Sequence, residues 1–149
     1  MNCPGSQSDG LEFHHVGMVV PQIEPVADFY EKVLGYTRQG PVIEDPVQKV
    51  RIQFLELHGF TLELLEPLGE QSPVARFMKA GGGLNHICYA CNDIEAELRR
   101  FKSKGLTIAC VPTPAPAIES RKVAFVVSRN REVIELVEKD KYPYPTRPA

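Results

Sequence analysis

His15-Val16-Gly17 begins a pattern that the chain uses twice. It continues through Ile23, Gly35 and Phe54 to Leu62-Glu63-Leu64-Leu65-Glu66. The second copy runs His86-Ile87-Cys88, then Ile94, Gly105 and Phe125, to Ile134-Glu135-Leu136-Val137-Glu138. Corresponding residues stand 70 to 72 positions apart across five unrelated residue types. A fixed period of this kind decides the architecture before any single element is read.

Working outward from the first copy, Phe13 to Val20 is apolar and β-branched, which predicts a strand. Pro25 opens a helix, where its missing N–H costs nothing, and Val26, Tyr30, Val33 and Leu34 recur at helical spacing. Gly35 ends it. A strand follows near Tyr36 to Ile43, and Val50 to Leu57 and Phe60 to Glu66 form a hairpin turning at His58-Gly59. The second copy repeats the order. His86 to Ala90 is a strand, and Asn92-x-x-Glu95 resembles a capping box. Ile94, Leu98 and Phe101 line a helix face up to Gly105. Leu106 to Val111, Lys122 to Ser128 and Val133 to Glu138 are strands. Residues 69–83 connect the copies, with a short helix expected at Ser72 to Ala80 and a hinge at Gly81-Gly82-Gly83. Pro112 to Ala117 reads as a stiff loop. The first ten residues and the Pro-rich stretch from Tyr142 read as loose tails.

Each copy is thus a βαβββ unit, an α+β arrangement. One unit cannot bury both faces of its sheet, whereas two paired units can, with helices outside and a curved mixed sheet forming an inner cleft. The expectation is a single domain over 1–149, with a first module at about 11–68 and a second at about 83–140.

Composition bounds the partners. The 149 residues suffice for one domain with a sizeable core. A 43% hydrophobic and 24% charged composition is that of a globular chain. The net charge of -2 and the absence of a Lys/Arg block argue against nucleic acid and anionic membrane as partners. No apolar run approaches the ~20 residues of a membrane helix. Met1 to Gly10 lacks an apolar signal core, so a cytoplasmic location is expected. Cys88 and Cys91 are spaced C-x-x-C but lie in a strand-like run, where residues three apart face opposite ways. They read as small core residues. Cys3 and Cys110 form no pattern.

Two imidazoles and two carboxylates are a donor set that first-row divalent ions accept together. Strand alternation could turn Glu63 and Glu135 to solvent, and a buried His is commonly a hydrogen-bonded core residue. Recurrence of all four at the same relative place favours a shared centre of His15, Glu63, His86 and Glu135. Four protein donors leave room on an octahedral ion for water or substrate. Glu66 and Glu138 repeat too, but at strand ends where a solvated carboxylate is ordinary. His14 should face away from His15, and its counterpart in the second copy is Asn85. No nucleophile elbow, P-loop or dinucleotide fingerprint is present.

Five stretches carry a wider resemblance: His15-Val-Gly-Met-Val-Val20, Phe29-Tyr-Glu-Lys-Val-Leu-Gly35, Leu62-Glu-Leu-Leu-Glu-Pro67, Gly83-Leu-Asn-His-Ile87 and Val133-Ile-Glu-Leu-Val137. From about Leu11 to Lys139 the chain resembles the vicinal oxygen chelate superfamily, the glyoxalase/bleomycin-resistance fold, and within it the methylmalonyl-CoA epimerase-like members. The resemblance implies a divalent ion (Co, Mn, Ni, Zn or Fe) on His15, Glu63, His86 and Glu135, and small substrates that chelate it through neighbouring oxygens and react via an enolate. A homodimer is expected alongside it. Glu135, ligand and carboxylate at once, is the candidate catalytic base for an isomerase or lyase. The pattern departs from the epimerases at Pro46-Val47-Gln48-Lys49-Val50, where their acid/base Glu falls on Val47. Ala117-Ile-Glu-Ser-Arg121 and Ser128-Arg-Asn-Arg131 also replace glycine-rich turns. A different substrate is therefore expected. The alternatives are a non-catalytic binding or resistance protein, an epimerase proper, and a ring-cleaving dioxygenase, which needs two His and one carboxylate.

Overall fold

A computed structural model describes residues 10–139. The elements follow in the order β1 (Glu12–Val19), α1 (Ile23–Leu34), β2 (Thr37–Asp45), β3 (Val50–Leu57), β4 (Phe60–Pro67), α2 (Ala75–Lys79), β5 (Gly83–Cys91), α3 (Ile94–Ser103), β6 (Thr107–Ala115), a 3-10 turn (Pro116–Ile118), β7 (Arg121–Val127) and β8 (Val133–Glu138). The eight strands make one mixed sheet in the order β2-β3-β4-β1-β5-β8-β7-β6. Read from either edge, that order is the same sequence of module positions. β1 runs parallel to β4 and β5 to β8, while β1 and β5 meet antiparallel at the centre. The pseudo-twofold axis therefore passes between β1 and β5, and the sheet curls into a half-barrel around it.

Alternation along the strands sorts the core into two faces. Leu62 and Leu64 turn outward, where they pack with Leu55 against Ile23 and Ala27 of α1. Leu136, Ala124 and Val126 do the same against Ile94, Leu98 and Phe101 of α3. The intervening residues line the concave side: Val19, Val50, Ile52 and Leu65 in one module, Cys88, Ala90, Val123 and Val137 in the other. Burying each such aliphatic side chain stabilises the fold by roughly 1.5–3 kcal/mol.

Several local expectations shift. The buried stripe of α1 is Ile23 and Ala27, with Val26 and Tyr30 partly covered, whereas Val33 and Leu34 are exposed. The helix lacks a side-chain cap of its own at Gln22. Glu66, expected in solvent, reaches across so that its Oε2 accepts the Ile23 N–H at 2.9 Å, and Arg51 holds it there at 3.2 Å. Gly35 ends α1 at φ 83, a left-handed conformation open to glycine. α3 is capped by Asp93, whose carboxylate accepts the Ala96 N–H at 3.0 Å, in place of the Asn92–Glu95 box. The Pro-rich stretch belongs to β6 as far as Ala115 because it lies at the sheet edge, where a missing N–H breaks no ladder. The N-terminal tail up to residue 9 and the stretch from Tyr142 lie outside the described residues.

Candidate metal centre

Four adjacent central strands each contribute one candidate donor to the concave floor. In the β1–β4 ladder Glu63 lies opposite Gly17, two residues from His15. In the β1–β5 ladder Gly17 pairs with His86 and His15 with Cys88, which in turn pairs with Glu135 across β5–β8. The side chains of His15, Glu63, His86 and Glu135 therefore meet over the pseudo-twofold axis, all between 0% and 6% exposed. The donor atoms lie within 4.8 Å of one another. Nε2 of His15 is 3.2 Å from Oε2 of Glu63 and 3.1 Å from Oε2 of Glu135. Nε2 of His86 is 3.3 Å and 3.0 Å from the same two atoms, and 3.3 Å from Nε2 of His15.

These separations suit one ion. Two ligands each about 2.1 Å from a metal stand about 3.0 Å apart at a right angle and about 3.4 Å apart at the tetrahedral angle. A second observation agrees: Oε2 of Glu135 is buried and accepts no well-directed hydrogen bond among the described residues, although two imidazole nitrogens lie beside it. The four groups point at a common centre rather than along N–H axes.

The rings are held on both sides in matched fashion. Phe54 packs edge-on against His15 and Phe125 against His86, each with centroids 5.6 Å apart. His86 also lies over Gly17, where a Cβ would intrude upon the ring. On their far side, Nδ1 of His15 is 2.7 Å from Nδ1 of His14, and Nδ1 of His86 is 2.9 Å from Oδ1 of Asn85. His14 does not face away from His15. The β1–β5 pairing is irregular between Phe13 and His15 and again between Gly17 and Met18, which releases His14 and Asn85 from alternation.

Electrostatically the cluster is two acid–base pairs. Burial resists charge on His15, yet the Glu63 carboxylate beside it, with Cys88 and Glu135, holds its pKa well above the usual value. Burial likewise resists charge on His86, and its close contacts with Glu135 and Glu63 prevail, raising it to about 9. Glu63 and Glu135 are pushed upward by burial but end below the ordinary carboxylate value because both imidazoles adjoin them. His14 is lowered to about 4, chiefly by burial and then by His15, so it stays neutral. A second grouping of His14, His15 and Cys88 also converges. There burial pushes the Cys88 thiol up to about 12, which keeps it protonated and a poor metal ligand.

Beside this centre opens a cavity of about 360 Å³, lined by Glu63, His86 and Glu135, while His15 is fully buried. Its wall is largely apolar, including Ile52, Leu65, Val74 and Ile118, with Gln48 and Asn85 as neutral polar points. Among the described residues Glu63 and Glu135 are the only carboxylates lining it, and no Lys or Arg does. The β2–β3 turn that leads into it is locked by Asp45, whose Oδ1 accepts the N–H groups of Val47 and Gln48 at 2.9 Å each. The turn directs Gln48 inward and leaves Val47 65% exposed. Glu44 faces outward, 3.7 Å from Arg51. Gly17 and Asn85 lie inside the stretches that carry the resemblance, though nothing there gives them a role, and Gln48 and His14 carry no motif of their own. Phe54 and Phe125 were present in the repeat, and His14 with Asn85 could have been found as a matched pair beside the two imidazoles.

The profile of the Glyoxalase/Bleomycin resistance protein/Dioxygenase superfamily matches residues 14–125. The chain belongs to this superfamily. Among relatives, it is 35% identical over 115 residues to an ethylmalonyl-CoA/methylmalonyl-CoA epimerase from Cereibacter sphaeroides, covering 76% of this chain and 85% of that one. Among solved structures, a hypothetical protein from Bacillus halodurans C-125 superposes with a TM-score of 0.81 at 32% identity, over 91% of this chain and 99% of that one. The methylmalonyl-CoA epimerase from Mycobacterium tuberculosis superposes with a TM-score of 0.77 at 26% identity, over 94% and 93%. The eight-stranded half-barrel is thus the glyoxalase-like fold.

Proposed function

We propose that the chain is a metal-dependent isomerase that moves the proton on the carbon next to a carbonyl in a small oxygenated substrate of the acyl-CoA type. His15, Glu63, His86 and Glu135 would hold a divalent ion of the Co, Mn, Ni, Zn or Fe kind. The observation that carries the reading is the convergence of these four donors, three of which line an apolar cavity. When bound, such an ion supplies a Lewis acid that favours negative charge on substrate oxygens.

The rest falls to side chains. The apolar wall takes the alkyl part of the substrate and excludes water. Gln48 and Asn85 offer hydrogen bonds to uncharged substrate oxygens. Among the described residues no cation lines the wall, which favours a substrate carboxylate at the centre rather than on the wall. Glu135 lines the cavity and is the base that accepts the α-proton and returns it. Inversion at carbon needs a second acid/base on the opposite face, and among the described residues the wall offers no carboxylate beyond Glu63 and Glu135. With methylmalonyl-CoA as the substrate, proton exchange with little inversion is therefore expected. The relatives named as epimerases support the substrate class. The second carboxylate weighs against a ring-cleaving dioxygenase, and a binding module would not need four convergent donors. A homodimer fits the exposed Leu84 and Ile87 on the outward side of β5, and light scattering would check it.

The test is deuterium uptake. Protein loaded with Co(II) is incubated with methylmalonyl-CoA in heavy water, following exchange and inversion at C2 separately. Uptake above the uncatalysed rate, lost in Glu135→Gln, is expected, with inversion much slower. Metal-loaded protein without uptake would remove the proposed activity.

A further inference from the structure

The two central strands share a local irregularity that the proposed chemistry does not by itself require. In the β1–β5 ladder Phe13 pairs with Tyr89 and His15 with Cys88, so His14 is opposite no residue. Gly17 pairs with His86 and Met18 with Leu84, so Asn85 is passed over in the same way. Each strand therefore carries one extra residue, and in each it is the residue just before the candidate imidazole ligand. Side chains of consecutive strand residues ordinarily point to opposite faces. A bulge relaxes that rule and re-aims the extra side chain.

Here it re-aims each onto the Nδ1 atom of the imidazole that follows it. His14 Nδ1 stands 2.7 Å from Nδ1 of His15, and Asn85 Oδ1 stands 2.9 Å from Nδ1 of His86. Asn85 Oδ1 can only accept, so His86 Nδ1 is the donor. By the same symmetry His14 Nδ1 accepts from His15. A neutral imidazole carries one ring proton. An acceptor that fixes it on Nδ1 frees the Nε2 lone pair. Those two Nε2 atoms are the ones 3.3 Å apart over the floor. An imidazole and a carboxamide differ in size and shape, yet at matched positions they present the same thing, a hydrogen-bond acceptor at Nδ1. Packing alone would not require that agreement.

We propose that His14 and Asn85 are a matched pair of positioning residues, set by paired bulges, that fix the tautomer and ring orientation of His15 and His86 for metal binding. The inference rests on the metal reading above. Partners of this kind beyond the ligands themselves commonly change metal affinity by about 10- to 100-fold.

The test exchanges the pair. His14→Leu and Asn85→Leu remove the acceptor at similar volume, while His14→Asn and Asn85→His install in each copy the residue that the other copy uses. Zinc affinity is measured by competition with a chelator, and thermal unfolding of the metal-free proteins reports on the fold. In the zinc-loaded proteins, long-range proton–nitrogen NMR correlations report whether Nδ1 of His15 and His86 carries the proton. Expected are a loss of about 10- to 100-fold in zinc affinity for each Leu variant, with the Nδ1 proton signal of the neighbouring imidazole weakened or exchange-broadened. The exchanged variants should keep affinity within a few-fold of wild type and keep the signal. A purely structural role would lower the unfolding temperature and leave the affinity of the folded protein alone. Leu variants that bind zinc like wild type, or exchanged variants as weak as the Leu variants, would overturn the positioning roles alone. Wild-type protein that binds no zinc would overturn these roles and the metal reading together.

Discussion

Gly17 lies directly beneath the imidazole of His86, so that a Cβ at residue 17 would fall among three of its ring atoms. Its backbone is not in the left-handed region, so the requirement for glycine is the ring above it rather than the turn of the chain. Gly17→Ala must therefore move His86 or spread β1 from β5. Metal affinity is expected to fall at least about tenfold, as for loss of ligand orientation, with the chain still folding. Calorimetric titration with zinc alongside thermal unfolding checks this. Unchanged affinity would mean that His86 is not a ligand in the orientation described.

Gln48, and not Val47, faces the cavity. Placing a carboxylate at Gln48 should supply the missing acid/base, whereas one at Val47 should remain in solvent. Gln48→Glu is expected to raise the rate of inversion relative to exchange by tenfold or more, a lower bound given that general acid–base groups contribute about 10²–10⁴-fold. Val47→Glu is expected to change the ratio little. The reverse outcome would show that the turn re-forms when substrate binds.

Asp45 is fully buried and spends one oxygen on the Val47 and Gln48 N–H groups, so it is a clasp for the turn rather than a base. Its other oxygen has no hydrogen-bond partner among the described residues. Asp45→Ala leaves two backbone donors unpaired and should cost about 2 kcal/mol. Asp45→Asn keeps the accepting oxygen and removes a buried charge, so it should cost less. Urea unfolding of the two variants orders them.

The charge state of the centre sets a pH dependence. In metal-free protein the His86 pKa is raised from 6.5 to about 9. Its contribution is fully present below pH 6.5 and is lost as pH rises through about 9. Glu63 and Glu135 are lowered from 4.5, so theirs is present above pH 4.5 and lost as pH falls through the folded-state values. Stability of the metal-free protein should therefore decline between pH 6.5 and 9. Metal takes up imidazole lone pairs and releases those protons. Its affinity should rise across the same window, about tenfold per pH unit for each proton displaced. Unfolding temperatures measured with chelator and with zinc should diverge as pH increases. A flat metal-free profile would contradict the assignment.

The 70–72 residue repeat made the two βαβββ units and the four candidate donors readable, because symmetry singles out residues that composition cannot; the order of strands across the sheet was not legible in it. Period-2 patterning placed Glu63 and Glu135 on an apolar strand, and their recurrence decided which face they take. What escaped depends on departures from ideal periods. Strict alternation turned His14 away from His15, and the bulge brings it back. Helical spacing favoured Val33 and Leu34, but α1 meets the sheet through its first two turns, so Ile23 and Ala27 are covered instead. Glu66 looked like a solvated strand end because its partner, the start of α1, lies 43 residues earlier in the chain.

A cobalt titration of the metal-free protein tests the central claim most directly. The visible spectrum of Co(II) reports both stoichiometry and ligand field. One ion per chain is expected to bind with a spectrum of mixed nitrogen and oxygen ligation. His15→Ala, Glu63→Ala, His86→Ala and Glu135→Ala should each abolish or greatly weaken it, and His58→Ala, a turn residue remote from the floor, should not. Absence of a stoichiometric site, or a spectrum that survives replacement of His15 or His86, would contradict a metal centre on these four residues.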